Sequence, residues 1–532
     1  MPRMTGGQAL VKSLYMEGIR VIFGIPGVQT YEVMDALYDE PGIRFITTRH
    51  EQAAAYMADG FSRAGGGIGT ALVVPGPGLL NASAAIGTAY SCSSPILVVS
   101  GQIPRDAIGA GIGHLHEVDD QLEAVKPVTK WASRVLQAAE IPSTVHEAFR
   151  HLKTGIPRPV EIEIPPDTLR EEAEIDLVEA EEYKAEPASS DDVSAVVDIL
   201  LASESPAVLA SGGAVGGVAS TALLDLAEHL QAPVFTTREG KGAISDRHYL
   251  SSGGHGFRTE AIVNRIAEFD VILALGARLG RFDLRMAKQI VHIDMDRSEE
   301  GLSPKGTITI GGDIGRTLVE IVRLMVDKTP PRPNRREELE PTRDERFEPS
   351  LHVEPQGGYV RAIRAAVPDD GFIVEGVTQI GYASHMLYPV YEPGTYFTSS
   401  YFGNLGYVYP IALGAKVAQP DRAVVGISGD GGFLYNSQEL ATAVKYGINA
   451  VVIVFNDNAY GNVMRDQKLQ FNGRMIASDL HNPDFVKLAQ AYGAVGVRAD
   501  GPEQLESALR EGLESPVPTL IEVPLEMMPE PY

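Results

Sequence analysis

The sequence is poor in cysteine and tryptophan, with one residue of each among 532. Cys92 cannot form an internal disulfide, and its apolar surroundings predict a reduced, buried thiol. Lysine and arginine number 45 against 70 aspartates and glutamates, so the net charge of −25 makes nucleic acid an unfavourable partner. No apolar run reaches membrane-spanning length, and residues 1–18 lack the pattern of a signal peptide. These absences predict a cytoplasmic protein that binds neither nucleic acid nor membrane.

The chain is too long for one hydrophobic core, and its 44% hydrophobic and 22% charged residues are typical of globular domains. Two charged segments, 170–190 and 327–349, interrupt an alternation of strand-like and helix-like patterns, and we predict exposed linkers there. The predicted domains are 1–170, 191–327 and 350–532. The alternation predicts three consecutive doubly wound α/β domains with mainly parallel sheets.

Short runs rich in β-branched residues predict the strands of the first two domains. They are 21–23, 45–48, 71–74, 96–100 and 160–164 in the first domain, and 207–210, 271–275 and 290–293 in the second. The glycine cluster Gly212–Gly217 follows a middle strand but lacks the dinucleotide-binding spacing, which favours a structural turn over a phosphate site.

The last domain contains a predicted βαβ unit made of strand 423–427, helix 436–446 and strand 450–455. Asn436 is expected to cap the helix, Glu439 occupies the reciprocal capping position, and Gly447 follows as a stop signal. Because the two strands are parallel, the residues after them should meet at the carboxyl edge of the sheet, where such sheets bind ligands.

Two aspartates follow these strands, Asp430 and Asp457, and we expect them to be neighbours in space. Carboxylate and carbonyl oxygens suit Mg²⁺, with Ca²⁺ as the alternative ion. Glycines at Gly429, Gly431 and Gly432 allow close approach to a ligand, which indicates a metal-bridged diphosphate. Gly-Asp-Gly is also a common turn sequence, so the spacing to Asn456-Asp457 carries the interpretation.

This arrangement resembles the signature of thiamine diphosphate enzymes, Gly-Asp-Gly followed after one crossover by Asn-Asn. The resemblance implies that Asp430, the Asp457 side chain and the Ala459 carbonyl hold the metal. Asp457 stands where the family has asparagine, which retains an oxygen ligand and adds a negative charge.

Glu51, in the sequence Arg49-His50-Glu51-Gln52, matches the family glutamate that bonds the aminopyrimidine ring of the cofactor and relays a proton. A helix-stabilising charge in a first turn is the simpler interpretation of an isolated glutamate. Further matches in family order favour the relay: Gly27 after the first strand, and Pro75 and Asn81 after the third.

Other cofactor contacts are implied by the same resemblance. In Tyr401–Gly406, Leu405 would separate the two cofactor rings and the Gly403 carbonyl would accept a hydrogen bond from the 4′-amino group. Thr378 and Gln379 match a looser diphosphate contact, and Phe433 closes the glycine motif.

The three-domain order resembles the acetolactate synthase-like group. This implies a homodimer or homotetramer with active sites between subunits, and a middle domain that binds FAD in some members, which the sequence leaves undecided. The implied reaction is decarboxylation of a 2-oxo acid followed by joining to a carbonyl acceptor. A decarboxylase that releases an aldehyde, and a non-catalytic cofactor-binding homologue, are the alternatives.

Several residues are candidates for the substrate side. His116 aligns with a pocket aromatic of the group and could transfer protons, although a solvated loop histidine is equally consistent. Gln29 is the nearest polar candidate beside Val28, which offers no proton. Arg281 and Arg285 resemble an arginine-containing stretch that meets the carboxylate of the acceptor.

Overall fold

The computed structural model describes residues 2–253, 268–279, 287–296, 304, 306–346 and 352–529. The chain divides into two compact units. Unit 1 comprises Met1–Tyr183, Phe372–Thr378 and Ser399–Met527, and unit 2 comprises Lys184–Gly371, Gln379–Thr398 and Met528–Tyr532.

The first sheet of unit 1 is parallel throughout. Its strands follow the spatial order Arg44–Thr47, Val21–Gly24, Gly69–Val73, Ile96–Gly101, Val160–Ile164 and Trp131–Arg134. Central strands such as Gly69–Val73 are buried at every residue, because helices cover both faces of the sheet. A separate antiparallel pair joins Arg3–Thr5 to Glu172–Glu174.

The second parallel sheet of unit 1 lies in the last third of the chain. Five of its strands belong to this unit, in the order Phe372–Glu375, Val424–Gly429, Val451–Asn456, Thr519–Pro524 and Val495–Arg498. Val424–Gly429 and Val451–Asn456 are parallel neighbours, so their carboxyl ends lie side by side in a crevice at the sheet edge where such sheets bind ligands.

The sheet of unit 2 is also parallel. Its order is Ser251–Gly253, Val234–Thr236, Pro206–Ala210, Val271–Leu275, Ile290–Asp294 and Ile308–Gly311. Unit 2 also contains the short strand Tyr396–Phe397. Buried aliphatic side chains from both faces of the sheet form its core.

The α-helices alternate with the strands, as the α/β pattern predicts. Those of unit 1 are Gly6–Met16, Tyr31–Tyr38, Glu51–Arg63, Pro77–Ser91, Gln121–Val125, Ile141–Lys153, Pro166–Arg170, Val408–Ala418, Asp430–Leu434, Glu439–Tyr446, Gly461–Gln470, Phe485–Tyr492 and Pro502–Glu514. Those described in unit 2 are Ser190–Ala202, Gly217–Leu230, Ile314–Lys328, Arg336–Arg346, Gln356–Ala366 and Gln379–Leu387.

Two helices of unit 1, Glu51–Arg63 and Val408–Ala418, cross with their backbones in close contact. A Cβ atom on Gly60 would lie 2.1 Å from the carbonyl oxygen of Ile411, and a Cβ atom on Gly414 would lie 2.0 Å from that of Met57. Any side chain at either glycine would therefore force the helices apart.

The predicted fold class is confirmed, since the chain forms three parallel sheets flanked by helices. Every predicted strand is present, with its ends shifted by no more than two residues. The sheets occupy 21–164, 206–311 and 372–524, and the exact domain limits stay a prediction. Among the described residues, no helix is long and apolar enough to cross a membrane.

Both predicted linkers contain regular secondary structure that the sequence analysis missed. Strand Glu172–Glu174 lies in the first because it pairs with the distant amino terminus. Helix Arg336–Arg346 lies in the second, where Leu339 is buried and Arg336 bonds Glu340 one turn later at 3.3 Å.

The predicted start of helix 436–446 is wrong. The helix begins at Glu439, and Asn436 is not its cap. Asn436 instead donates to the Gly406 carbonyl at 2.7 Å, and Glu439 accepts the Arg49 amide at 3.0 Å. These distant partners replace the local capping contacts, whereas Gly447 ends the helix in the left-handed conformation as predicted.

Candidate functional site

Asp430 lies where strand Val424–Gly429 ends, as the first residue of a short helix. Its side chain is buried, and it accepts hydrogen bonds from the Gly431 amide at 2.8 Å and from Asn482 at 2.6 Å. Burial raises the pKa of Asp430, and the amides of Ala459 and Asn458 are among the hydrogen-bond donors that oppose this shift. The structure therefore brings the two strand ends together, as predicted.

Asp457 lies in the turn after strand Val451–Asn456, and its carboxylate is close enough to Asp430 for the two charges to interact. Burial, followed by the negative charge of Asp430, raises the pKa of Asp457 to about 6. Two carboxylates in a desolvated crevice repel each other when both are ionised, and a bound divalent cation would remove this repulsion.

Asn482 is a residue of this crevice that the sequence analysis missed. Its amide nitrogen donates to Asp430, and also to the side-chain oxygens of Asn456 at 2.9 Å and Asn458 at 3.4 Å. Its own oxygen, Oδ1, is buried and has no hydrogen-bond partner within the described part of the chain. Residues 457–481 separate it from the second strand, so no local pattern placed it here.

The donor set fits a hard divalent cation. Two carboxylates, a buried amide oxygen and the backbone of Ala459 supply oxygen atoms only, which Mg²⁺ and Ca²⁺ prefer. No cluster of three or more histidine, cysteine, aspartate or glutamate side chains that could hold a metal occurs among the described residues. A metal here must therefore complete its shell with backbone, amide, water or diphosphate oxygens.

The raised pKa of Asp457 gives a testable pH dependence. Because the folded protein binds this proton more tightly than the unfolded chain, the group loses its contribution to stability as pH rises from about 4 to 6. With EDTA at pH 7, we expect Asp457→Asn to be more stable than wild type, by about 1–3 kcal/mol.

Thermal melting of both proteins in EDTA from pH 4.5 to 8 measures this difference. The stability difference between Asp457→Asn and wild type should grow with pH and level off above pH 7. The control variant Asp500→Asn, at an exposed position, should show no such trend. A stability difference between Asp457→Asn and wild type that does not change with pH would contradict the raised pKa of Asp457. Glu439, with a pKa raised by burial to about 7, titrates in all three proteins and cancels.

Glu51 is the first residue of helix Glu51–Arg63, with His50 as its N-cap. Its carboxylate accepts a hydrogen bond from Asn81 at 3.1 Å. A Cβ atom on Gly78 would lie 3.7 Å from the Glu51 side chain. Glu51 and Asn81 are thus placed together at the carboxyl edge of the first sheet.

The loop after strand Gly69–Val73 needs glycine. Gly76 has a φ of 55°, and a Cβ atom there would lie 2.4 Å from the His116 carbonyl oxygen. Buried Pro75 precedes it, and Gln121 accepts the Gly76 amide at 2.8 Å. Gln121 also donates to the buried carboxylate of Glu163 at 2.8 Å, so it fixes this loop, a role that its sequence position did not reveal.

Gln29 and His116 are in direct contact. His116 Nδ1 lies 3.2 Å from Gln29 Oε1, and Gln29 Nε2 donates to the Leu115 carbonyl at 3.3 Å. Because Gln29 Oε1 is an acceptor, His116 Nδ1 carries a proton. His116 Nε2 therefore accepts a hydrogen bond in the neutral ring and donates one in the imidazolium. His116 has a φ of 71°, a conformation that costs energy outside glycine and often occurs at functional sites. Gly27 starts the same turn, and its amide donates to Thr30 at 3.1 Å.

The other predicted cofactor residues are divided between the two units. In unit 1, a Cβ atom built on Gly429 would lie 3.6 Å from the Thr378 side chain. A Cβ atom built on Gly432 would lie 4.0 Å from the Leu405 side chain. Gly403 is exposed with a φ of 62°, whereas Gln379 is buried at the start of a helix in unit 2.

Phe433 and the tight glycine positions have structural explanations as well. The Phe433 ring packs edge-to-face between Tyr409 and Phe485, so only its backbone can contact a ligand. A Cβ atom on Gly431 would lie 2.7 Å from the Tyr460 ring.

The glycine cluster of unit 2 forms a one-turn 3₁₀-helix, Gly212–Ala214. A Cβ atom on Gly213 would lie 2.4 Å from Ile314, so packing explains this glycine. The predicted carboxylate-binding residues Arg281 and Arg285 lie outside the described residues.

Family models match three parts of the chain. Family models match residues 4–124 as the N-terminal thiamine pyrophosphate (diphosphate) binding domain of thiamine pyrophosphate enzymes, 193–321 as their central domain and 376–523 as their C-terminal binding domain.

Curated relatives match over nearly the whole chain. A probable acetolactate synthase large subunit of Methanocaldococcus jannaschii is 34% identical over 99% of this chain and 93% of its own length. The acetolactate synthase large subunit of Haemophilus influenzae is 32% identical, with 96% and 92% covered. A probable 2-ketoarginine decarboxylase of Pseudomonas aeruginosa is 33% identical, with 98% and 94% covered. The chain therefore belongs to the thiamine pyrophosphate enzyme family and is a thiamine diphosphate-dependent enzyme of the acetolactate synthase type.

Proposed function

We propose that this enzyme uses thiamine diphosphate and Mg²⁺ to decarboxylate a 2-oxo acid and to join the remaining fragment to a carbonyl acceptor. Bound cofactor would supply the electron sink that makes loss of carbon dioxide possible. Two observations carry the proposal: Asp430 and Asp457 share one crevice at the ends of neighbouring strands, and Glu51 is bonded to Asn81 at the carboxyl edge of the first sheet.

Each group has a defined task in this proposal. Asp430, Asp457 and the Ala459 carbonyl would hold the metal, which would supply positive charge for the diphosphate. Glu51 bonds the aminopyrimidine nitrogen and holds or releases one proton there, while Asn81 orients its carboxylate. Within unit 1, Gly27, Pro75 and Thr378 would contact the cofactor, as would the residues around Gly403, Leu405, Gly429, Gly431, Gly432 and Phe433.

We further propose that the active site is completed by a second copy of the chain, in a homodimer or homotetramer. Exposed apolar side chains near the candidate residues support this. Val28 and Leu80 lie beside Gly27 and Asn81, and Tyr401, Phe402 and Tyr435 lie beside Gly403 and Gly432. Large apolar side chains grouped around a site in this way are typical of a surface that is buried on association.

Product analysis tests the reaction. Purified enzyme with pyruvate, thiamine diphosphate and Mg²⁺ should form acetolactate, detected as acetoin after acid decarboxylation. Acetaldehyde as the sole product would contradict carboligation. No turnover of pyruvate, followed by turnover of a longer 2-oxo acid, would retain the reaction and change the substrate.

A decarboxylase that releases an aldehyde is the second candidate, and the Gln29–His116 contact favours it. An imidazolium at position 116, with Nδ1 held by Gln29, could donate from Nε2 to a carbanion. The relative named as a probable 2-ketoarginine decarboxylase supports the same alternative.

Replacing His116 distinguishes the two reactions. If His116 supplies the proton, His116→Phe should lower aldehyde release by roughly 100-fold and raise the fraction of joined product. Turnover and product ratio are measured between pH 6 and 8, with His481→Phe as a control at another loop histidine of unit 1. An unchanged product ratio would show that His116 is not the donor.

A further inference from the structure

Unit 2 contains a cavity that is separate from all the residues assigned above. Its volume is about 440 Å³, which is in the range of small-molecule sites. We name it the arginine pocket, after the lining residues Arg247, Arg343, Arg361 and Arg364, which surround Tyr391 and several apolar side chains. The described lining includes none of the predicted cofactor, metal or substrate residues.

The arginine pocket gathers four arginines in a chain whose net charge is −25. Three of these arginines are paired with carboxylates: Arg247 with Asp369, Arg343 with Asp344, and Arg361 with Glu354. Asp246 is occupied in accepting from Ser251 at 2.7 Å and from the Val390 amide at 2.8 Å. Among the described residues, Arg364 is therefore the lining arginine without a carboxylate within hydrogen-bonding distance.

Arg364 is the central observation, because its side chain is only 12% exposed. It donates to the carbonyl oxygens of Pro389, Val367 and Pro368, which accept hydrogen bonds but carry no net charge. Among the described residues, the one carboxylate within 4 Å of Arg364 is Asp369, at 3.9 Å.

Asp369 is already engaged by another arginine. Arg247 contacts both of its oxygens, in the two-pronged geometry that Arg–carboxylate pairs favour. Arg364 is thus a largely buried cation whose charge is incompletely balanced by the protein. An anion in the adjoining cavity would balance it.

The other lining residues favour a ligand with an apolar or aromatic part, called its body below. The Tyr391 ring lies 3.7 Å from the Arg247 guanidinium and 4.8 Å from that of Arg364, so the ring is fixed between two cations. Leu387 and Pro389 contribute apolar surface to the lining of the cavity. A simple inorganic anion would leave these surfaces uncovered.

We propose that the arginine pocket binds an organic anion, namely a carboxylate or phosphate group on a compact apolar or aromatic body. The anionic group pairs with Arg364, beside Arg361, whose guanidinium also bonds Glu354 at 2.5 Å. The apolar or aromatic part of the ligand packs on Tyr391 and Leu387. This site is distinct from the cofactor site and does not depend on the proposed function.

Calorimetric titration of the holoenzyme tests the proposal, with thiamine diphosphate and Mg²⁺ present. The probes are the aromatic anions benzoate and phenyl phosphate. Benzyl alcohol is the uncharged aromatic control, and inorganic phosphate is the control anion that has no apolar part. At least one organic anion should bind saturably, at least tenfold more tightly than benzyl alcohol and inorganic phosphate, and more weakly as salt increases. The tighter of the two identifies the anionic group as carboxylate or phosphate.

Variants assign the binding to this cavity. Ala365 is an exposed lining residue, so Ala365→Trp should obstruct the pocket without disturbing the core; Arg361→Gln removes one cation. Each should weaken binding at least tenfold. Ala202→Trp and Arg323→Gln, at exposed positions of other unit 2 helices, should leave it unchanged.

The outcome that overturns the proposal is equal affinity in Ala365→Trp, Arg361→Gln and wild type, since the anion would then bind elsewhere. Equal affinity for benzyl alcohol and the organic anions would also overturn it. Because both pocket residues are exposed, loss of binding with an unchanged melting temperature cannot be attributed to unfolding.

Discussion

Glu51→Gln should lower turnover by roughly 100-fold to 10,000-fold, the usual contribution of a positioned proton-transfer group. The amide keeps the size of the side chain and an oxygen that can accept from Asn81, which lies 3.1 Å from the carboxylate. It cannot exchange a proton with the aminopyrimidine nitrogen. The measurement is turnover at saturating thiamine diphosphate and Mg²⁺, together with the affinity for cofactor, which should change much less.

A matched variant separates this role from simple helix stabilisation. Glu503 is an exposed first-turn glutamate of helix Pro502–Glu514, so Glu503→Gln loses the same interaction with the helix dipole, worth about 0.3–1 kcal/mol, without touching the site. Its turnover should equal that of wild type. Full activity of Glu51→Gln would contradict the relay assignment.

Asp430→Ala should abolish metal-dependent binding of thiamine diphosphate. The loss should exceed about 100-fold in affinity, because removing residues that merely support metal ligands already costs 10-fold to 100-fold. Titration with cofactor in Mg²⁺ and in EDTA measures it: wild type should bind only with metal, and the variant should bind in neither condition.

Two comparisons make this result specific to the metal. Asp500→Ala removes an exposed aspartate of unit 1 and should bind cofactor as wild type does. Circular dichroism should show that Asp430→Ala keeps its secondary structure. If the variant still bound cofactor with Mg²⁺ and released it with EDTA, the metal would be held elsewhere.

The sheets were predictable because their strands are continuous apolar runs. Fully buried strands such as Val451–Asn456 need no partner information to be recognised, and parallel pairing then places Asp430 and Asp457 at one edge. The start of the helix at Glu439 was not predictable in this way. A capping pattern is local, whereas Asn436 and Glu439 bond residues 30 and 390 positions away.

The same distinction explains which site residues were missed. Motifs identified Glu51 and Asp430 because each follows a strand directly. Asn482 and Gln121 act through side-chain contacts across 52 and 45 positions, to Asp430 and Gly76, and nothing beside them in the sequence marks this role. The arginine pocket likewise gathers side chains from separate helices and loops.

The crossing of helices Glu51–Arg63 and Val408–Ala418 has a consequence for motion during turnover. Because the two backbones are in contact at Gly60 and Gly414, neither helix has room to slide or bend against the other. The two helices therefore move as one rigid unit. Any gate that admits substrate has to open elsewhere. In the stretch 109–113, by contrast, a Cβ atom on any of the three glycines would meet open space, and the Gly111 amide is tied to Glu117 at 3.0 Å.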